Sequence, residues 1–156
     1  MRVVPISPYL LCQELYRDDV WKMMMCCIML NRTQGNQVHM IREKLFRTYP
    51  TPMAILRADY DKLVELITPL GFCNMRANRM KAFSRDFLYK KWSSVTELHG
   101  IGKYGSDSYE IFVKNNINIP VTDNVLTKYL QWRKQNEKRI TRRPDRQVSR
   151  NVRARA

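Results

Sequence analysis

Between Leu98 and Gly105 the chain reads Leu-His-Gly-Ile-Gly-Lys-Tyr-Gly, with a short apolar segment before it and a run of helical spacing, Ser106 to Val113, after it. Two glycines one residue apart between such segments force a very tight turn between two helices. Without a Cβ, glycine reaches positive φ and lets another chain come close. At the head of a helix, such a turn also leaves several N–H groups unpaired and pointing one way, a natural seat for a phosphate. Strand-like alternation recurs nowhere in the chain, so the turn belongs to an all-α fold of many short helices and short loops.

Caps and periodicity place the other helices. Ser7-Pro8 reads as a cap followed by proline, predicting a helix to about Tyr16 that contains Gln13. Asp18 or Asp19 caps a second helix whose Trp21, Met24, Met25, Ile28 and Met29 form a buried face, and it ends in the polar loop Leu30 to Gly35. A third helix over 36–49 stops at Pro50; Thr51-Pro52 opens a short one and Asp59 another. After the loop Thr68-Pro69-Leu70-Gly71-Phe72, the longest helix is predicted from Asn74 to about Lys91, with Arg76, Arg79, Lys81 and Arg85 as its basic residues. The hairpin helix runs to about Asn115, and Thr122 reads as the cap of a last helix with Val125, Leu126, Tyr129 and Leu130 inward.

Charge narrows the partner. The chain of 156 residues carries 28 Lys and Arg against 14 Asp and Glu, a net +14. Ten of the basic residues fall between Arg133 and Ala156 against Glu137 and Asp145, and the body stays basic without them. This balance suits nucleic acid or an anionic membrane surface. No apolar run approaches the roughly 18 residues of a transmembrane helix. Met1 to Pro8 holds two prolines and no apolar core, so no secretory leader is expected. Cys12, adjacent Cys26 and Cys27, and Cys73 form no Cys-x-x-Cys pair, and His39 and His99 are isolated. Buried free thiols in a reducing compartment are therefore expected, with neither a metal nor a cofactor.

The motifs in order are more specific than any one of them. Leu30-Asn31-Arg32-Thr33, Pro69-Leu70-Gly71, Glu97 to Gly105 with Asp107-Ser108-Tyr109, and Asp123 with Leu126, Lys128, Tyr129 and Trp132 resemble the helix-hairpin-helix DNA glycosylases. Within that superfamily they are most similar to the glycosylase domains of the methyl-CpG-binding domain protein 4 family. The likeness spans about Ser7 to Trp132. It implies a two-lobed all-α fold, a cleft between the lobes, and excision of thymine or uracil mispaired with guanine after the base is flipped out of the duplex.

The resemblance also implies roles. Asp123 corresponds to the family's catalytic aspartate, and a helix N-terminus is a place that favours negative charge. Superfamily members that also cut the strand carry a lysine where this chain has Tyr104. A phenol forms no Schiff base, so hydrolysis without lyase activity is expected. One residue along a helix turns a side chain by about 100°, which points Lys103 away from the pocket towards phosphate or solvent. Tyr104 and Gln13 line the base pocket. Arg32 is the plug that fills the vacated space, a task for a group that stacks and donates at once. Leu70 and Phe72 form the wedge loop, with Phe72 in place of the family's leucine. Gly100, Gly102, Lys103 and Gly105 hold the DNA backbone. Val125 departs from the lysine of vertebrate members, removing one polar contact beside Asp123.

The expected organisation is a glycosylase domain over 1–138 and a basic, disordered tail over 139–156. The partner implied is double-stranded DNA with a G·T or G·U mismatch, bound by a monomer in the nucleus and not by a membrane. The methyl-binding domain of the family is absent from this sequence. A non-catalytic helix-hairpin-helix DNA-binding module is the alternative. Asp123 discriminates, because a pure binder has no use for a carboxylate facing a phosphodiester.

Overall fold

The computed structural model describes residues 4–142, whose regular elements are all helices, with no strand among them. In chain order they form α1 (Cys12–Leu15), α2 (Val20–Leu30), α3 (Gly35–Thr48), α4 (Pro52–Arg57), α5 (Tyr60–Ile67), α6 (Cys73–Tyr89), α7 (Lys103–Phe112) and α8 (Asn124–Arg142). Single 3₁₀ turns lie at Thr68–Leu70 and Val95–Glu97. Side-chain caps set three starts as expected: Asp19 accepts from Lys22 N–H, Thr51 from Ala54 N–H and Asp59 from Lys62 N–H.

The core is organised around α2. Met23, Met24, Met25, Cys26 and Met29 are completely buried, so beyond Lys22 this helix is apolar all round and runs through the core. Each such methionine contributes about 2 kcal/mol by leaving water. Leu45, Ile55, Leu63, Ile67, Met80 and Phe83 from α3 to α6 surround it. A smaller cluster of Ile111, Leu126, Tyr129 and Leu130 joins α7 to α8, with Leu11 against it. Tyr104 and Phe112 touch both clusters, so α7 joins the two lobes. No described helix is long and apolar enough to cross a membrane.

Several expectations are corrected. Ser7-Pro8 opens a loop and not a helix, because the buried carboxylate of Glu14 accepts from Ser7 N–H at 2.7 Å, Ser7 Oγ at 2.8 Å and Leu11 N–H at 2.9 Å. That clamp folds residues 7–11 back and leaves Leu10 at φ 49°. Cys12 and Cys26 are paired as a disulfide that ties α1 to α2, where free thiols were expected; Cys27 and Cys73 are free. Asp123 and not Thr122 caps the last helix, its Oδ1 accepting from Leu126 N–H at 2.9 Å.

The 19-residue α8, not the 17-residue α6, is the longest helix. It crosses position 138 and reaches Arg142; the rest of the tail, 143–156, lies outside the described residues. Within α8, Arg133 is 1% exposed and bonded to Glu137 and Asn115, so this member of the basic end belongs to the folded body.

Two of the four basic residues of α6 are also internal. Lys81 caps the end of α4 by donating to the carbonyls of Ile55, Leu56 and Ala58. Arg76 is buried beneath the loops that follow α2 and precede α6.

Candidate active site

A cleft of about 1010 Å3 opens between the two clusters, lined by residues of the N-terminal loop, the loop after α2, the start of α3, the hairpin and the head of α8. Gln13, Arg32, Gly100, Gly102, Lys103, Tyr104, Gly105 and Asp123 all line it, together with Val125. Residues far apart in the chain thus meet on one concave surface.

The floor is a buried hydrogen-bond group. Gln13 is 1% exposed, although as a lone helix residue it would read as a surface amide. Its Nε2 donates to the Tyr104 hydroxyl at 2.6 Å and to Ser108 Oγ at 3.3 Å. Burial is the main cause that raises Tyr104 above the ordinary phenol range, with Cys27 and Asp123 adding to it, while the Gln13 bond acts the other way. Tyr104 therefore stays protonated, and because its oxygen accepts from Gln13, its own proton is left for an acceptor in the cleft. Cys27 lines the same wall, but burial pushes its thiol up to about 12, so it is no thiolate nucleophile at neutral pH.

Asp123 approaches from the opposite lobe. Oδ1 is engaged as the cap of α8, leaving Oδ2 for the cleft. Among the described residues no three His, Cys, Asp or Glu side chains gather as metal ligands. What the arrangement offers is one carboxylate, one protonated phenol and a carboxamide around a space large enough for a base.

The hairpin joins a 3₁₀ turn to α7, not two α-helices. Asp86 Oδ2 on α6 accepts from His99 N–H at 2.9 Å and fixes the turn's approach. Gly100 alone of its glycines takes positive φ, 80°. Gly102 starts α7 with no side-chain cap, so the N–H groups of the first turn are left to an outside acceptor. Gly105 is buried, and a Cβ there would meet Ile101 at 2.8 Å, so the missing side chain is what lets the hairpin pack. Lys103 pairs with Asp107 at 2.7 Å and donates to Pro120 O at 3.2 Å, which holds its ammonium along α7.

At the rim, Arg32 is exposed on the loop after α2. Leu70 and Phe72 are not among the residues that line the cleft; Phe72 is 59% exposed while Leu70 is 6% exposed and part of the core. Phe72 is therefore the apolar group this loop presents. Glu14, Ser108 and Arg76 support the site and were not singled out from sequence as site residues. Arg76 carried a signal, since it falls on the buried stripe of α6 with Ala77, Met80 and Phe83.

The fold and the site define an all-α helix-hairpin-helix protein with its cleft between two apolar clusters. The chain belongs to the HhH-GPD superfamily of base excision DNA repair proteins, whose family model matches residues 25–153. It is 33% identical over 131 residues to the methyl-CpG-binding domain protein 4-like protein of Arabidopsis thaliana, covering 83% of this chain and 29% of that protein. It is 29% identical over 93 residues to a thymine-DNA glycosylase of Aeropyrum pernix, covering 55% of this chain and 42% of that one. The chain thus spans less than half the length of these relatives. A solved structure of a thermostable thymine-DNA glycosylase superposes with a TM-score of 0.58 at 24% identity, over 65% of this chain and 51% of that chain, a likeness of fold.

Proposed function

We propose that this chain is a monofunctional DNA glycosylase that flips thymine or uracil mispaired with guanine into the cleft and hydrolyses its N-glycosidic bond. The observation that carries this reading is the convergence of Asp123, Tyr104 and Gln13 on one cleft beside an uncapped helix N-terminus. Unpairing a base costs a few kcal/mol and least for a mismatch, so G·T and G·U pairs are selected partly by their own weakness.

In the reaction, the bond from C1′ to the pyrimidine nitrogen breaks and the base leaves with the electron pair. The Asp123 carboxylate faces the oxocarbenium charge that develops on the sugar and orients the water that attacks C1′, and the proton the water gives up neutralises the departing base anion. Tyr104 and Gln13 hold the pyrimidine edge. The product is an abasic site. Hydrolysis without strand cleavage is supported by the phenol at position 104 and by the engagement of the Lys103 ammonium with Asp107. The protein acts as a monomer in the nucleus, in base excision repair of deaminated 5-methylcytosine and cytosine.

The test is a gel assay over a panel of mismatched duplexes with alkali after incubation. Cleavage confined to strands with thymine or uracil opposite guanine, and lost in Asp123→Ala, is the expected result. Intact G·T and G·U duplexes after alkali, with wild type and variant binding them alike, would overturn it in favour of the non-catalytic module.

A further inference from the structure

Arg32 and Phe72 stand on separate loops, yet both have left-handed backbone, with φ 58° and 47°. Bulky L residues rarely adopt this conformation, and it persists only where surrounding structure dictates it. One side chain supplies that structure at both places. Arg76, on the first turn of α6 and 3% exposed, donates from Nε to Gly71 O at 2.9 Å and from Nη2 to Asn31 O at 2.9 Å and to Thr33 Oγ1. Its Nη1 donates to the carbonyls of Ile28 and Met29, the last turn of α2.

The two outer acceptors have the same place in their loops. Gly71 O belongs to the peptide plane that leads into Phe72, and Asn31 O to the plane that leads into Arg32. A peptide is planar, so anchoring its carbonyl fixes the direction in which the next residue departs. Arginine suits this because its donors form a rigid planar fork; a lysine would offer a single nitrogen.

We propose that Arg76 is a positioning residue that sets Arg32 and Phe72 as one rigid pair, so that both enter the same base step together. The inference rests on the reading of the chain as a base-flipping enzyme and adds a residue that touches neither DNA nor the flipped base. Its work lies in parting the stack, so it matters where a pair has to be opened and little where none exists.

The experiment compares wild type, Arg76→Met and Arg76→Lys on two duplexes, uracil opposite guanine and uracil opposite a synthetic abasic residue. Each duplex carries 2-aminopurine next to the uracil to report unstacking by fluorescence. Arg76→Met is expected to lose most of the fluorescence rise on the G·U duplex. Its single-turnover excision there should fall at least about tenfold, in line with the cost of small misplacements. Opposite the abasic residue, excision should stay within about threefold of wild type, since no pair is broken. Arg76→Lys, with the charge kept and the fork lost, is expected to behave likewise, and it decides the matter should the methionine variant not fold.

Equal losses on both duplexes, or wild-type unstacking in Arg76→Lys, would overturn the proposal. A wild type that fails to unstack the G·U step would overturn it too. Unstacking by wild type without any excision would sink the glycosylase reading alone, with the fluorescence comparison still deciding the role of Arg76.

Discussion

The Gln13 amide donates to the Tyr104 hydroxyl at 2.6 Å, across 91 positions of sequence, and this bond aims the phenolic proton. Gln13→Ala removes the donor from both Tyr104 and Ser108. A buried polar group left without its partner costs about 1–3 kcal/mol, which a denaturant melt will register. Single-turnover excision from a G·T duplex is expected to drop by roughly 10- to 100-fold, because the phenol loses its orientation. Wild-type excision in this variant would remove Gln13 from the base pocket.

Asp123 caps α8 and, in the proposed reaction, faces the sugar, and one substitution separates the two. Asparagine caps helices as well as aspartate, so Asp123→Asn should melt within a few degrees of wild type. Excision should fall by about 10²-fold or more, since the amide bears no charge to face the oxocarbenium. Mismatch binding by gel shift should persist. An Asp123→Asn protein that excises at the wild-type rate would move the catalytic charge elsewhere.

Stability should decline at alkaline pH in a defined window. Burial lifts Cys27 from 9.0 to about 12 and Tyr129 from 10.0 to about 12. Both are neutral when protonated, and the unfolded chain releases these protons first, so the folded state binds more protons between the two values. Stability is full below about pH 9 and then falls by about 1.4 kcal/mol per unit for each group as pH rises through the window. Cys27→Ala is expected to delay the onset to about pH 10 in urea melts taken at each pH.

Strand breaks should appear only after alkali or heat. Borohydride reduction of a reaction in progress is expected to trap no covalent protein-DNA complex, since Tyr104 provides no amine. A trapped band would return Lys103 to consideration as a nucleophile.

DNA affinity should depend steeply on salt. Shortening the chain after Arg142 removes Arg143, Arg146, Arg150, Arg153 and Arg155, and the slope of log affinity against log salt should flatten by as much as about 0.9 for each phosphate no longer neutralised. Base excision should survive the truncation.

Much of the fold was legible because caps and periodicity are local signals. Asp19, Thr51 and Asp59 each bond to an N–H three residues ahead, so the sequence window contains both partners. Glu14 was not legible in this way: a carboxylate that folds the preceding segment back on itself looks, in sequence, like an ordinary helix residue. Charge misleads for a related reason. Arg76, Lys81 and Arg133 add to the basic total, yet their donors are occupied by the protein's own carbonyl, amide and carboxylate groups. Asp123 and Tyr104 were found through the order of four motifs, since no local rule brings a helix cap and a phenol nineteen positions earlier to one cleft. The loop before α6 was half legible: its place follows from Pro69-Leu70-Gly71, but which of Leu70 and Phe72 faces outward depends on how the turn packs on the core.

The cleft draws Gln13 from the start of the fold and Asp123 from its last helix. On the ribosome, a growing chain holds its amide for more than a hundred residues before the carboxylate emerges. No nascent fragment ending before α8 has both halves of the cleft, so the proposed excision would await a chain in which α8 has already been made.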